Sequence, residues 1–194
     1  MPYSSEHKRN TRRKVVEAAR VLFNRHGFRD VTIDMVMQQA GLTRGGFYNH
    51  FASKEALYAE AVSSFLQGRG GQWRTAIGVE PGAPTADMAQ RMLKGYLSSE
   101  HLDDLDGQCP LIALPSDVAR DQPEVRAAYQ SLLEAMVGVF AQGDANEAAN
   151  SRSTSLALAA LCVGGMVLAR TLPESRLAEE VRLAALQVAT EIAL

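Results

Sequence analysis

The chain has 194 residues, which is enough for one or two domains with a sizeable core. It carries 20 basic and 22 acidic side chains, and its two cysteines lie far apart. This content excludes a disulfide framework, and no Cys/His spacing suits a zinc site. The N-terminus is polar and charged through Lys14, so we expect no secretory signal and a cytoplasmic protein.

Charge is distributed unevenly along the chain. Residues 1–58 hold ten basic and five acidic side chains, a net of +5. Residues 59–194 hold ten basic and seventeen acidic side chains, a net of −7. The simpler interpretation of the basic N-terminal part is a helix start whose charges face solvent. A basic N-terminal part on an acidic body, however, indicates that the N-terminal part faces nucleic acid.

The first predicted helices form a helix-turn-helix. A helix from about Arg9 to Arg25 has small and apolar residues on one face, and Gly27 follows its end. Thr32 is placed to cap a second, short helix, Gly41 to end it, and Thr43 to cap a third. Two ordinary amphipathic helices joined by a glycine turn give the same pattern. The arrangement is also typical of proteins that lay a recognition helix in the DNA major groove.

The outward residues of the third helix suit DNA. Arginine and asparagine match guanine and adenine edges, which assigns Arg44 and Asn49 to the bases. Tyrosine, histidine and lysine suit phosphate oxygens. Two consecutive glycines weaken a helix, but they allow the backbone to approach a groove wall closely. The residues expected at the DNA are Arg12, Lys14, Thr32, Thr43, Arg44, Gly45, Gly46, Tyr48, Asn49, His50 and Lys54.

Three short segments carry a more specific pattern. They are Ala40-Gly41-Leu42-Thr43, Gly46-Phe47-Tyr48-Asn49-His50-Phe51 and Ser53-Lys54-Glu55-Ala56-Leu57. Through them, residues 1–58 resemble the DNA-binding head of the TetR family of bacterial transcriptional regulators. The resemblance implies an all-α fold with a three-helix head over residues 1–55. It also implies a larger effector-binding and dimerisation domain of about nine helices over residues 56–194.

The rest of the chain is predicted as helices separated by breaks rich in proline and glycine. Ser53 is placed to cap a helix whose apolar face continues to Leu66, and residues 78–84 form a break. Thr85 is expected to cap the next helix, which runs toward Ser99. Further helices are expected over 111–120, 123–142, 153–171 and 174–193, with residues 100–108 and 143–150 as polar loops. The most apolar run, 156–169, has 14 residues and is too short for a membrane span, so we expect no membrane contact.

The helix predicted over 153–171 is apolar nearly all round, which requires burial on all sides. Its small residues, among them Ala160, Gly164 and Gly165, allow a neighbouring helix to approach closely. This helix can form the centre of the monomer core. The family resemblance implies instead that the last two helices pair with those of a second subunit. We expect the homodimer, because one head reads too few bases for useful specificity.

The resemblance also implies a pocket for an unknown small-molecule effector. No constellation of buried charges stands out, so we expect an apolar or weakly polar ligand. An aromatic residue or methionine at helical spacing more often belongs to the core than to a ligand site. Each candidate is therefore either a core residue or a residue of the effector pocket. The candidate lining residues are Trp73, Met88, Met92, Tyr96, Cys109, Tyr129, Met136, Phe140 and Met166.

Cys109 is the sharpest of these candidates. It precedes Pro110 at a predicted helix start, where the helix N-terminus lowers a thiol pKa and favours the thiolate. Such a thiol suits a sensor of oxidants or electrophiles, whereas the simpler interpretation is a small apolar residue in the packing. Cys162 lies within the apolar helix and is expected to pack.

The sequence therefore predicts a ligand-responsive DNA-binding transcriptional regulator. We expect a repressor that binds a pseudo-palindromic double-stranded operator and is released by its effector. The alternative is a thiol-based redox or electrophile sensor that acts through Cys109. An enzyme is not expected, because residues 68–71 lack the ending of a phosphate loop and Asp103, Asp104 and Asp106 have only His101 near them. No cofactor and no metal are expected.

Overall fold

The computed structural model describes residues 5–80, 82, 85, 87–142, 152–173 and 175–193. Over this part of the chain the fold is all-α, as predicted, with eleven α-helices and one 3₁₀ helix. The elements are α1 Ser5–Asp30, α2 Ile33–Gln39, the 3₁₀ helix Arg44–Asn49, α3 Lys54–Gln67, α4 Arg69–Ala76, α5 Met88–Tyr96, α6 Ser99–Asp103, α7 Pro110–Ala113, α8 Pro115–Val118, α9 Pro123–Gln142, α10 Arg152–Thr171 and α11 Arg176–Ile192.

The N-terminal head consists of α1, α2 and the 3₁₀ helix. The Thr32 hydroxyl accepts a hydrogen bond from the backbone N–H of Met35 and so caps α2, as predicted. Gly41, with φ of 71°, turns the chain out of α2. Phe47 and Phe51 point into the core of the head, where both are buried. The head is therefore a helix-turn-helix with its apolar side chains turned inward.

Two details of the head differ from the prediction. The third helix is a 3₁₀ helix, and Thr43 precedes it in an extended conformation without a side-chain capping bond. Both differences have one physical reason. Gly45 and Gly46 lower the helix propensity of a six-residue segment, which is too short to sustain a regular α-helix.

The body differs from the prediction in two helices. The helix that begins after Ser53 ends at Gln67, in agreement with its predicted apolar face, and an additional helix, α4, follows Gly68, whose backbone (φ −94°, ψ −117°) is not helical. The helix predicted over 111–120 splits into α7 and α8 at Leu114, because Pro115 has no N–H to donate and starts a new helix.

Three helix starts also differ. The Thr85 hydroxyl donates to Asp87 at 2.8 Å instead of capping, and α5 begins only at Met88. The Ser98 side chain caps α6, which occupies the start of the predicted acidic loop. Ser175 caps α11, so that helix begins at Arg176 rather than at residue 174. The loop predicted over 143–150, and residues 81, 83 and 84 of the predicted break, lie outside the described residues.

Helix α3 connects the head to the body. It packs against α1 on one side and α9 on another, and α9 in turn packs against α10. Tyr58 of α3 stacks on Phe28 at 4.7 Å and meets the ring of Phe23 edge-on at 4.8 Å. Both phenylalanines lie in α1, so a movement of α3 moves the head with it.

Helix α10 is longer than the apolar run that the sequence suggested. It spans 20 residues with a mean hydropathy of 1.5, which meets the length and composition of a membrane-crossing helix. Such a helix is equally typical of the core of a helical domain, and α10 packs against α7, α9 and α11. Gly165 lies under α11, where an added Cβ would stand 2.7 Å from the Cβ of Ala185. The close approach of α10 and α11 therefore requires glycine at this position.

Candidate DNA interface and effector cavity

The outer face of the 3₁₀ helix is polar and open to solvent. Arg44, Tyr48 and Asn49 are exposed, and the Tyr48 side chain is 65% exposed. The ring of Tyr48 stands edge-on against the buried ring of Phe47 at 5.1 Å. The core of the head thus sets the position of the side chains on this face. Their hydrogen-bonding groups are those that read base edges and phosphates.

Arg44 is not free in the unbound protein. Its guanidinium forms an ion pair with the Asp34 carboxylate at 2.7 Å, and both side chains are largely exposed. Asp34 belongs to α2 and was not among the residues predicted at the DNA. An exposed pair of this kind contributes about 0–1 kcal/mol, so it holds Arg44 in place without preventing its release.

Arg12, a predicted phosphate contact, has partners within the chain and keeps a side chain that is 41% exposed. Its guanidinium donates to both carboxylate oxygens of Glu60 and to the backbone carbonyl of His50. It also lies over the ring of Phe51, 4.2 Å from the ring centre. These contacts use three of its five N–H donors, so two remain for a phosphate. Arg12 therefore ties α1 to α3 and to the end of the 3₁₀ helix.

His50 and Lys54 are also partly turned inward. Burial lowers the pKa of His50, with Lys8 and Arg12 acting in the same direction, and its Nδ1 has no hydrogen-bond partner among the described residues. The Lys54 ammonium lies 4.2 Å from the ring centre of Phe28 and 3.5 Å from the carbonyl oxygen of Arg29. Lys54 therefore braces the end of α1 against the start of α3.

The remaining predicted DNA residues lie on the exposed side of the head. Lys14, Thr32, Thr43 and Gly45 are exposed, and Gly46 is partly covered by Met37. A Cβ added at Gly45 would meet no atom of the described residues within 4 Å. The packing of this chain therefore gives no reason for a glycine there.

A small cavity lies within the body, between α3, α4, α5 and α9. It is lined by Phe65, Leu66, Trp73, Arg74, Met92, Tyr96, His101, Cys109, Leu111, Leu132, Ala135, Met136 and Val139. Its volume is about 30 Å³ for molecules of the size of water, which is room for roughly one or two waters. A larger ligand must push the walls apart.

One wall of the cavity is aromatic and holds two buried polar atoms without partners. The rings of Trp73 and His101 lie 4.8 Å apart, and those of Tyr96 and His101 lie 5.0 Å apart. Neither the Tyr96 hydroxyl nor the His101 Nε2 has a hydrogen-bond partner among the described residues. Burial lowers the pKa of His101 to about 4, so its imidazole is neutral at pH 7.

The environment of Cys109 contradicts the predicted thiolate. The side chain is only 5% exposed, and burial raises the pKa of its thiol to about 11. The helix that follows it, α7, has four residues and hence a weak dipole at its N-terminus. Desolvation outweighs that dipole, and the thiol stays protonated at neutral pH. Cys162 is buried in α10 and packs, as expected.

The cavity brings together five of the predicted effector residues: Trp73, Met92, Tyr96, Cys109 and Met136. Met88, Phe140 and Met166 are packed in the core instead. Tyr129 donates its hydroxyl to the carbonyl of Leu111 at 3.0 Å and is not in the wall. The sequence missed Arg74 and His101, although Arg74 directly follows Trp73 and His101 follows the helix cap Ser98 by three residues.

A network of polar contacts joins the cavity to the head. Arg170 of α10 donates to the side-chain oxygen of Gln108 and, at 2.8 Å, to the carbonyl of Asn24 in α1. The Asn24 amide donates to the Gln108 carbonyl at 2.7 Å. Gln108 directly precedes Cys109, which lines the cavity. A displacement of the cavity wall therefore has a short route to α1.

The acidic segment near the cavity is part of the same connection. Asp106 forms an ion pair with Arg25 of α1, and its backbone carbonyl accepts from Arg20 at 2.5 Å. Asp104 forms an ion pair with Arg69 at 2.5 Å. These carboxylates fasten the body to α1 and α4. These ion pairs give Asp104 and Asp106 a structural role.

Comparison with known proteins agrees with this architecture. Residues 15–61 match the sequence profile of the family described as bacterial regulatory proteins, tetR family. The HTH-type transcriptional regulator YdgC of Bacillus subtilis, itself uncharacterized, is 32% identical over 83 residues. That match covers 43% of this chain and 42% of YdgC. The chain thus spans less than half the length of this curated relative.

Solved structures extend the similarity over the rest of the chain. The reduced form of NemR from Escherichia coli has a TM-score of 0.71 at 19% identity, covering 94% of this chain and 97% of that one. SCO4454, a TetR-family transcriptional regulator from Streptomyces coelicolor, has a TM-score of 0.67 at 19% identity and 95% coverage of both chains. At these identities the likeness shows the fold alone. Residues 15–61 thus match the tetR family of bacterial regulatory proteins in sequence, and the described chain shares its fold with the solved structures of NemR and SCO4454.

Proposed function

We propose that the protein is a homodimeric, non-enzymatic regulator of transcription in the cytoplasm, which binds a double-stranded DNA operator through its helix-turn-helix head. The observation that carries this proposal is the exposed face with Arg44, Tyr48 and Asn49, held in position by buried Phe47. Gly45 adds support, because no atom of the described residues lies close enough to require a glycine there. It allows close approach by a groove wall.

The outer faces of α10 and α11 support the dimer. Five large apolar side chains there are 41–56% exposed, namely Leu156, Leu168, Leu177, Leu183 and Val188. Exposed apolar residues concentrated on two adjacent helices indicate a protein interface. A second copy would cover them, because a C2 interface brings the same patch of each subunit together. Two heads then read a pseudo-palindromic operator.

The cavity supports regulation by a small-molecule effector that releases the operator. In the unliganded protein the cavity holds little more than water. A ligand that expands it moves α3 and the segment of Gln108, and both reach the head. The heads lose the spacing that one turn of DNA per half-site requires. An operator bound only in the absence of ligand makes the protein a repressor.

The alternative is a redox or electrophile sensor at Cys109. It is supported by the position of Cys109 in the cavity wall and by the reduced form in which the NemR structure was solved. Burial of the thiol and its raised pKa oppose it, since the thiolate is the reactive form. We therefore favour reversible binding of a ligand.

The test is selection of bound sequences from a pool of random DNA, followed by fluorescence anisotropy on the selected and a scrambled duplex. Asn49→Ala should weaken binding to the selected duplex by roughly 10–100-fold, and binding to the scrambled one much less. Lys14→Ala should weaken both alike, as a phosphate contact does. The matched control is Gln130→Ala, an exposed amide on α9 whose loss should change neither affinity. Failure to enrich any sequence would refute the proposal.

A further inference from the structure

The lining of the cavity carries one full charge. Arg74 is the single ionised side chain among the lining residues of the described chain, since none of them is a carboxylate and His101 is neutral. The guanidinium donates to the backbone carbonyl of Leu66 at 2.8 Å, and no ion pair engages it within the described residues. An arginine has five N–H donors, so most of its capacity is unused here.

The surroundings of Arg74 make this unused charge informative. Burial lowers the pKa of Arg74, which means that the charged form is short of compensating partners. Two further polar atoms in the same wall, the Tyr96 hydroxyl and the His101 Nε2, are buried without a hydrogen-bond partner in the part of the chain that the structure describes. Buried polar groups are nearly always satisfied in native proteins. These two atoms, together with the spare donors of the half-buried Arg74, indicate a ligand that supplies hydrogen-bonding partners.

The other walls define the rest of that ligand. Trp73 and Tyr96 present aromatic rings, and Met92 and Met136 present flexible, polarizable side chains. Aromatic faces pack against flat rings, and methionines adapt their shape when a pocket has to expand. The cavity thus combines one cation with walls that favour an aromatic guest.

A surface groove lies next to the cavity and shares Trp73 and His101 with it. Its charged lining residues are Arg69, Arg91, Lys94, Glu100 and Asp104. Arg69 and Arg91 are paired with acids, whereas no ion pair engages Lys94 in the described part of the chain. The Trp73–His101 pair therefore separates the cavity from a groove that is open to solvent and polar.

From these observations we propose that the effector is a small aromatic carboxylate, which passes the Trp73–His101 pair and binds with its carboxylate on Arg74. This assignment rests on the proposed function and specifies the ligand class of the same cavity. The carboxylate accepts a charge-assisted pair of hydrogen bonds from the guanidinium. The ring lies between the aromatic and methionine walls.

The chain contains a single tryptophan, Trp73, so its fluorescence reports directly on the cavity. The probes are two pairs of equal shape and different charge: benzoate with benzamide, and cinnamate with cinnamamide. At least one acid should change the Trp73 emission in a saturable manner and bind roughly tenfold to a hundredfold more tightly than its amide. Equal affinity of acid and amide in both pairs, or no saturable change, would overturn the proposal.

Variants test whether Arg74 causes the preference for the acid over its amide. Arg74→Met should abolish the preference for the acid over its amide, and Arg74→Lys should retain part of it. The matched control Arg126→Met removes an exposed arginine of α9 outside the cavity and should leave the preference intact. Circular dichroism establishes that each variant is folded. If Arg74→Met does not fold, the reduced preference for the acid in Arg74→Lys, which keeps the charge, is the test. A preference that survives in Arg74→Met would contradict the assignment.

DNA binding is measured separately, without ligand, by anisotropy on the selected duplex. Operator binding together with equal affinity for acid and amide would refute the ligand class alone. Absence of operator binding would refute the proposed function, whatever the cavity binds.

Discussion

The buried His101 predicts a specific loss of stability in mild acid. Burial lowers the pKa of its imidazole to about 4; Asp104 opposes this shift and Arg69 adds to it, both less than burial acts. An unfolded histidine has a pKa of about 6.5. Between these two pKa values His101 is protonated in the unfolded chain and neutral in the folded chain. The contribution to stability is therefore complete above about pH 6.5 and is lost as the pH falls toward 4.

The magnitude follows from the two pKa values. Between pH 7.5 and pH 5 the linkage relation gives a loss of about 2 kcal/mol in the free energy of unfolding. Urea unfolding followed by circular dichroism at the two pH values measures it. His101→Phe keeps a ring against Trp73 and has no proton to bind, so it should lose about 2 kcal/mol less than the wild type. The other three histidines are present in both proteins and cancel. Equal losses in the two proteins would refute the buried neutral imidazole.

Four further predictions concern the head, the thiol and the core. Asp34→Asn frees Arg44 and removes a negative charge near the DNA, so it should raise the affinity for random duplex DNA several-fold in anisotropy; an unchanged affinity would contradict this. Cys109, with a thiol pKa of about 11, should react with a disulfide reagent at pH 7 at least roughly a hundredfold more slowly than in the urea-unfolded chain, and comparable rates would favour the sensor. Gly165→Ala should lower the free energy of unfolding by about 1–2 kcal/mol through overpacking against α11, whereas Gly164→Ala, with no atom within 4 Å in the described residues, should not. Arg170→Met should lower the free energy of unfolding by about 1–3 kcal/mol, because the buried acceptors of Arg170 lose their donor. A melting curve identical to that of the wild type would show that this network does not stabilise the fold.

Local signals in the sequence were sufficient for α2 and for the turn that follows it. Thr32 and Gly41 act within four residues of their own positions, so the spacing alone reveals the cap and the turn. The ion pairs are different, because they depend on how the helices pack. Glu60 is 48 positions from Arg12, and no periodicity indicates that the two meet. The sequence therefore assigned Arg12 to DNA, whereas the fold uses it to fasten α1 to α3.

The cavity shows the same division. Aromatic and methionine spacing pointed to four of its lining residues, Trp73, Met92, Tyr96 and Met136, since these side chains lie on inward faces of α4, α5 and α9. The same spacing also selected Phe140 and Met166, which are core residues, because periodicity reports burial and does not distinguish a filled core from a cavity. Arg74 was not predicted as a lining residue, because a charged residue on a short helix is normally exposed. The thiol pKa of Cys109 was misjudged because burial depends on neighbours distant in sequence.

In the proposed complex, two copies of this chain hold one stretch of DNA through their exposed 3₁₀ helices. Footprinting of the full chain on DNA upstream of its own coding sequence measures this arrangement. Two protected half-sites related by two-fold symmetry are expected, about one helical turn apart or a multiple of it. Protection should disappear with the double variant Arg44→Ala and Asn49→Ala, and it should persist with Gln130→Ala. Continuous protection without symmetry, or a footprint unchanged in the double variant, would refute the proposed complex.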